Sequence, residues 1–175
     1  MYKTGDVILY GSTGVCRVTD IVTHALPGED KKQLHYVLKP LYQDCTITTP
    51  VDAMKVFMRP ILTKDEAERL VERIPSFKAE AFHSRFIGQL VDHYETAMKT
   101  YDCDDLIEMT LSIHAKKQTA EQHKRKFGAV DEKYMKRVEA LLFGELAAAL
   151  DLSRDQVSAL VADKADKSRG EQQCV

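Results

Sequence analysis

Apolar and polar positions alternate along most of the first sixty residues, in short runs that are separated by turn residues. Alternation of this kind is typical of half-buried strands, because successive side chains of a strand point to opposite faces. Gly11 and Gly14 bracket one turn, and Pro27-Gly28-Glu29-Asp30 is a strong turn signal further on. The pattern predicts five strands, at Asp6–Tyr10, Val15–Thr23, Leu34–Tyr42, Cys45–Thr49 and Val56–Met58.

After residue 60 the apolar positions recur at helical spacing. Thr63-Lys64-Asp65-Glu66 is a capping box, in which the threonine hydroxyl and the glutamate carboxylate each serve the other residue's amide. A second capping box, Ser153–Gln156, opens the last helix. The pattern predicts five helices, which begin at Thr63, Ala79, Asp102, Asp131 and Ser153, the second running to Thr100 and the fourth to Leu150.

These elements predict an α+β fold class with two domains. Residues 1–60 form a small Tudor-like or SH3-like β domain, because five short strands in so short a stretch favour a strongly bent sheet or barrel. Residues 61–162 form an all-α helical bundle. Residues 163–175 are polar and are predicted to be a flexible tail.

Composition excludes several classes of protein. The chain has 175 residues, no tryptophan and a net charge of −2, and no stretch reaches the roughly 18 apolar residues that span a bilayer. It lacks the apolar run of a secretory signal, so we expect a cytoplasmic protein with no membrane partner. The four cysteines contain no Cys-x-x-Cys pair, and we interpret them as free thiols.

Catalytic and metal-binding motifs are absent from the sequence. It contains no phosphate-binding glycine loop, no Gly-x-Ser-x-Gly and no pair of histidines at metal-ligand spacing on a helix. The acidic run Asp102–Asp105 starts a predicted helix, where carboxylates stabilise the helix dipole. We therefore expect no enzymatic activity, no metal and no cofactor, although a small enzyme with an unrecognised site stays an alternative.

Charge is distributed unevenly along the helical half. Residues 61–114 carry six Lys/Arg against eleven Asp/Glu, and residues 115–137 carry eight against three, a net charge of +5. A helix end, a loop and a helix start can converge on one patch that faces phosphates. The sequence therefore predicts a nucleic-acid contact with these cations at its centre: Lys116, Lys117, Lys124, Arg125 and Lys126. The aromatic series Phe77, Phe82 and Phe86 is predicted to lie mostly in the core, and one exposed member could instead be a wedge against a nucleic-acid groove.

At this point the sequence resembles a known family. The order of its motifs over residues 2–160 is similar to that of CarD-type (CarD/CdnL) bacterial transcription regulators. The motifs that carry the resemblance are Gly5-Asp6, Val7-Ile8-Leu9-Tyr10, Gly14-Val15, Tyr36-Val37-Leu38-Lys39, Thr46-Ile47-Thr48-Thr49-Pro50, Met58-Arg59-Pro60-Ile61-Leu62 and Phe143-Gly144-Glu145-Leu146-Ala147.

The resemblance implies a β domain that docks on the RNA polymerase β subunit and a helical domain that contacts promoter DNA and stabilises the open complex. Phe82 stands where the family usually has a tryptophan wedge, and Arg85 keeps the basic charge beside it. Thr48 stands where the family often has an arginine for the polymerase. The polymerase contacts implied on this chain are His24, Lys39, Ile47, Thr48, Thr49 and Pro50.

The weak overall charge predicts that DNA binds poorly to the chain alone, so that docking on the polymerase supplies the effective concentration. We expect a monomer. The main alternative is a protein–protein adaptor on polymerase that makes no contact with DNA.

Overall fold

The computed structural model describes residues 1–25, 32–52 and 55–172, and the chain divides into two compact units, Met1–Leu62 and Thr63–Val175. The sequence placed the boundary slightly earlier, after residue 60. The predicted turn Pro27-Gly28-Glu29-Asp30 lies outside the described residues.

The N-terminal unit contains one antiparallel sheet of five strands in the order β4-β3-β2-β1-β5. The strands are β1 (Val7–Tyr10), β2 (Gly14–Ala25), β3 (Lys32–Pro40), β4 (Ile47–Pro50) and β5 (Met58–Pro60). Consecutive strands from β1 to β4 are neighbours, and β5 returns to pair with β1. The helical unit that follows the sheet completes the predicted α+β fold class, which is confirmed.

The sheet curls around a small core made by side chains from its three central strands. Ile8, Cys16, Val18, Tyr36 and Leu38 are buried there and pack against one another. Val18, Tyr36 and Leu38 each lie between more exposed neighbours, as the period of a strand requires. Ile8 and Cys16 each adjoin a second buried residue, Leu9 and Val15. On the side away from β2, β3 pairs with β4, which is the last strand of the sheet in that direction.

The described part of the C-terminal unit, residues 63–172, contains five α-helices. They are α1 (Lys64–Arg73), α2 (Ile87–Lys99), α3 (Cys103–Gln122), α4 (Ala129–Leu150) and α5 (Arg154–Gln172). Both predicted capping boxes are confirmed: Glu66 N donates to Thr63 Oγ1 at 3.3 Å, and Gln156 N donates to Ser153 Oγ at 3.1 Å. The predicted cap at Asp102 is also confirmed, because its carboxylate accepts from the first amides of α3.

The start of the second helix was predicted wrongly. It begins at Ile87, not at Ala79, so the ten residues 77–86 cross the surface of the unit without helical structure. Two contacts, one within the segment and one to α3, explain the difference. Ser84 Oγ accepts a hydrogen bond from Phe86 N at 3.1 Å, in place of the backbone hydrogen bond that a helix would make. Ser112 Oγ, on α3, donates to Glu80 O at 2.6 Å.

The end of the chain also differs from the sequence interpretation. Helix α5 continues to Gln172, through most of the stretch 163–175 that was predicted to be a flexible tail. Val157 and Val161 are buried on its inner face. Lys167 forms a salt bridge with Asp163 one turn earlier, which supports the helix beyond its buried part.

Candidate functional site

Strand β4 is an edge strand of the described sheet, and its pairing with β3 decides which backbone groups face outward. Thr49 lies opposite Tyr36 and Ile47 opposite Leu38. Val51 N donates to Leu34 O at 2.9 Å, in the same register. Hydrogen-bonded and non-hydrogen-bonded pairs alternate in an antiparallel ladder. The backbone N–H and C=O groups of residues 47, 49 and 51 therefore face β3, and those of residues 48 and 50 face away from it.

Thr48 is therefore the central position of this edge. Its N–H and C=O point away from β3, and its side chain is exposed. Pro50 also points its C=O outward but has no N–H. We call Ile47–Pro50 the docking edge. It offers one residue that both donates to and accepts from an added strand.

The predicted polymerase contacts divide into two groups on this sheet. Ile47, Thr48, Thr49 and Pro50 together form β4, but the Thr49 side chain is only 4% exposed and packs inward. Lys39 is exposed on β3, next to Leu38, which lies opposite the first residue of β4. His24 is exposed at the opposite end of β3, in register with Gln33, and its ring meets that of His35 edge-on at 5.0 Å.

Residues 2–62, which include the whole sheet, match the family model of the CarD-like/TRCF RID domain. The N-terminal unit is a CarD-like RNA polymerase-interacting domain. The resemblance noted in the sequence is confirmed for this unit. No curated protein matches the chain.

The helical unit that follows the CarD-like domain places the two candidate wedge residues in different surroundings. Phe82 is half-buried, and its ring stacks on that of His93 with centroids 3.8 Å apart and planes 12° apart. Phe86 is 67% exposed and Ile87 is 68% exposed. Arg85 is exposed beside them. We call Arg85–Ile87 the tip of the helical unit. The i, i+4 spacing of the two phenylalanines had suggested one shared helix face, which hid this difference.

The basic stretch is also divided by the structure. Lys116 Nζ lies 2.8 Å from Asp131 Oδ1, and the two side chains are 15% and 5% exposed. Tyr94 donates its hydroxyl to the same oxygen at 2.7 Å. Burial and this hydrogen bond raise the pKa of Tyr94 well above its ordinary value. Lys116 therefore neutralises a buried carboxylate, and its charge is not presented to solvent.

The remaining cations of this stretch lie at or near the connection between α3 and α4. Lys124, Arg125 and Lys126 are exposed in consecutive positions, and Lys117 is half-buried on α3. Lys124 has a left-handed backbone (φ 52°), and Arg125 N donates to Ala120 O at 2.8 Å, which turns the chain at the helix end. We call Lys124–Lys126 the basic loop. Its positions suit phosphate contacts.

Two cations of the same stretch, Lys136 and Arg137 on α4, are paired with carboxylates. Arg137 Nη1 lies 2.6 Å from Glu95 Oε1, and Tyr134 donates its hydroxyl to the same oxygen at 2.7 Å. These two donors hold the pKa of Glu95 below its ordinary value. Lys136 pairs with Glu132 along the helix.

Residues 1–25, 32–52 and 55–172 contain no group of three or more His, Cys, Asp or Glu side chains that could hold a metal ion. Among the helices in that part of the chain, none has the length and apolar character needed to cross a membrane.

Proposed function

We propose that this chain is a non-enzymatic transcription regulator whose CarD-like domain docks on the RNA polymerase β subunit by strand addition. The observation that carries the proposal is the docking edge within a domain of this family. An added strand gains main-chain hydrogen bonds from Thr48, and the exposed Lys39 and Thr48 side chains supply specificity.

The helical unit acts in this proposal on promoter DNA. The tip supplies an exposed aromatic ring and a cation, and the basic loop supplies three further cations. Phe86 is better placed than Phe82 to insert between bases, because Phe82 is stacked on His93. A regulator that binds melted DNA more tightly than duplex DNA shifts the population toward the open complex.

The docking edge is tested with a variant that alters only its outward face. Thr48→Pro removes the outward N–H but no bond to β3, whereas Thr48→Val keeps the N–H and replaces the hydroxyl. We expect Thr48→Pro to weaken binding to the isolated β-subunit lobe about tenfold, because one hydrogen bond is lost and the proline ring disturbs the packing of the added strand. Thr48→Val should bind within about twofold of the parent. Equal binding by all three proteins would exclude strand addition at this edge.

The DNA contact is tested separately from docking. An Arg85→Ala/Phe86→Ala variant should shorten the lifetime of the open complex on a promoter and leave lobe binding unchanged. An unchanged lifetime would favour the second candidate, an adaptor on polymerase that makes no DNA contact. Arg69→Ala, at an exposed position of α1 outside the tip and the basic loop, serves as the control.

A further inference from the structure

A groove runs along the helical unit between α2, α3 and the segment 77–86. Its volume is about 940 Å³, at the upper end of the range of about 300–1,000 Å³ that is typical of ligand sites. Its apolar lining comes from Ala81, Phe82, Ala97 and the almost fully buried Met109. We call it the α2–α3 groove.

The wall formed by segment 77–86 is fixed at two points. Ser112 Oγ on α3 donates to Glu80 O at 2.6 Å, and the Phe82 ring stacks on His93 of α2. The groove is thus already formed in the free chain. A ligand does not have to order this wall on binding, which lowers the entropic cost of association.

The polar lining of the groove is strongly acidic. Four carboxylate side chains line it against one lysine, Lys78; the carboxylates are Glu80, Asp92, Asp105 and Glu108. Within the described residues none of the four forms a salt bridge with a lysine or arginine. His93 also lines the groove, and burial together with nearby Lys116 lowers its pKa, so it adds little positive charge at neutral pH.

We propose that the α2–α3 groove binds a basic segment of a partner protein. Lysine or arginine side chains of that segment would lie against the carboxylates, and an apolar side chain would pack on Met109 and Ala97. The same carboxylates repel phosphates, so nucleic acid is a poor occupant. The proposal does not depend on polymerase docking, because the groove lies wholly within the helical unit.

The absence of tryptophan from the chain provides a direct probe. We would titrate the 175-residue chain into a ten-residue peptide that alternates arginine with leucine around one tryptophan, and excite the tryptophan selectively. Its emission should shift to shorter wavelength and saturate at one peptide per chain, because the indole moves from water onto an apolar surface.

Two double variants with the same change in net charge locate the site. Asp92→Asn/Glu108→Gln removes two groove carboxylates. It should weaken peptide binding about tenfold, because two exposed contacts between opposite charges are lost. Glu68→Gln/Glu121→Gln removes two exposed carboxylates outside the groove and should change binding less than about twofold. Circular dichroism at 222 nm checks that both variants stay folded.

Several results would overturn the proposal. They are the absence of saturable binding at millimolar protein, equal weakening by the two double variants, and equal affinity for an all-lysine peptide that lacks apolar residues. Direct binding of duplex DNA that Asp92→Asn/Glu108→Gln weakens would also overturn it, since it would show that the groove accepts phosphates.

Discussion

Lys116 and Asp131 form a salt bridge inside the helical unit that links α3 to α4, with 2.8 Å between Nζ and Oδ1. Tyr94 extends the contact to α2 through its hydroxyl. Three helices therefore meet at one carboxylate. Because both charges are withdrawn from water, each depends on the other for compensation.

Loss of the Lys116 ammonium should destabilise the helical unit. We expect Lys116→Ala to lower the free energy of unfolding by about 3 kcal/mol, because it leaves a buried carboxylate without its cation. Urea denaturation followed at 222 nm measures this, since the helices lie in this unit. Lys124→Ala, in the exposed basic loop, should change stability by less than about 0.5 kcal/mol. A similar loss in both variants would contradict the assignment of Lys116 as a structural residue.

Two glycines of the helical unit should respond to alanine in opposite directions. A Cβ at Gly128 would lie 2.7 Å from Asp131 Oδ2, so Gly128→Ala must displace the carboxylate that holds Lys116. A Cβ at Gly88, in the first turn of α2, meets nothing within 4 Å. We expect Gly128→Ala to lower the melting temperature. Gly88→Ala should raise stability by about 0.5–1 kcal/mol, because alanine favours the helix.

The Glu95 cluster predicts a dependence of stability on pH. Tyr134 and Arg137 lower the pKa of Glu95 in the folded protein from its ordinary 4.5, so the folded state favours the ionised form. This contribution is complete above pH 4.5 and is lost as the pH falls through the lower, folded-state pKa. We expect Glu95→Gln to cost roughly 1 kcal/mol at pH 7, because the groups are partly exposed. The difference from the parent should shrink as the pH falls below about 4.5, and a constant difference would exclude the linkage.

The thiols of the CarD-like domain should differ strongly in reactivity. Cys45 is exposed, whereas Cys16 is buried in the core of the sheet. Burial, with a smaller effect from Cys45, raises the pKa of Cys16 to about 11, so only roughly one molecule in a thousand carries the thiolate at pH 8. In a Cys174→Ser background, a chromogenic disulfide reagent should react rapidly with one thiol in the native protein and with three in urea. Cys45→Ser should abolish the rapid phase, and its survival would show that a buried thiol is accessible.

The sequence predicted most accurately those features that depend on neighbouring residues. The Thr63 and Ser153 capping boxes involve residues three apart, so their residue types suffice to define the helix starts. The approximate positions of the five strands followed from alternation and from the turn residues between them. The family match at residues 2–62 agrees with motifs that are contiguous in the sequence.

Features that depend on distant contacts were not predictable in the same way. The start of α2 depends on Ser112, which bonds to Glu80 from another helix. The position of Lys116 depends on Asp131, since its sequence neighbours alone suggest one exposed basic run. The different surroundings of Phe82 and Phe86 depend on His93, a residue without any sequence signal for stacking.

Pro50 has a consequence for the behaviour of the protein at high concentration. An open strand edge is a template on which a second copy of the same chain can add, the first step of edge-to-edge aggregation. In the docking edge only Thr48 can both donate and accept, because Pro50 has no N–H and the strand is four residues long. Self-addition at β4 would gain very few hydrogen bonds, which disfavours edge-to-edge aggregation through this strand.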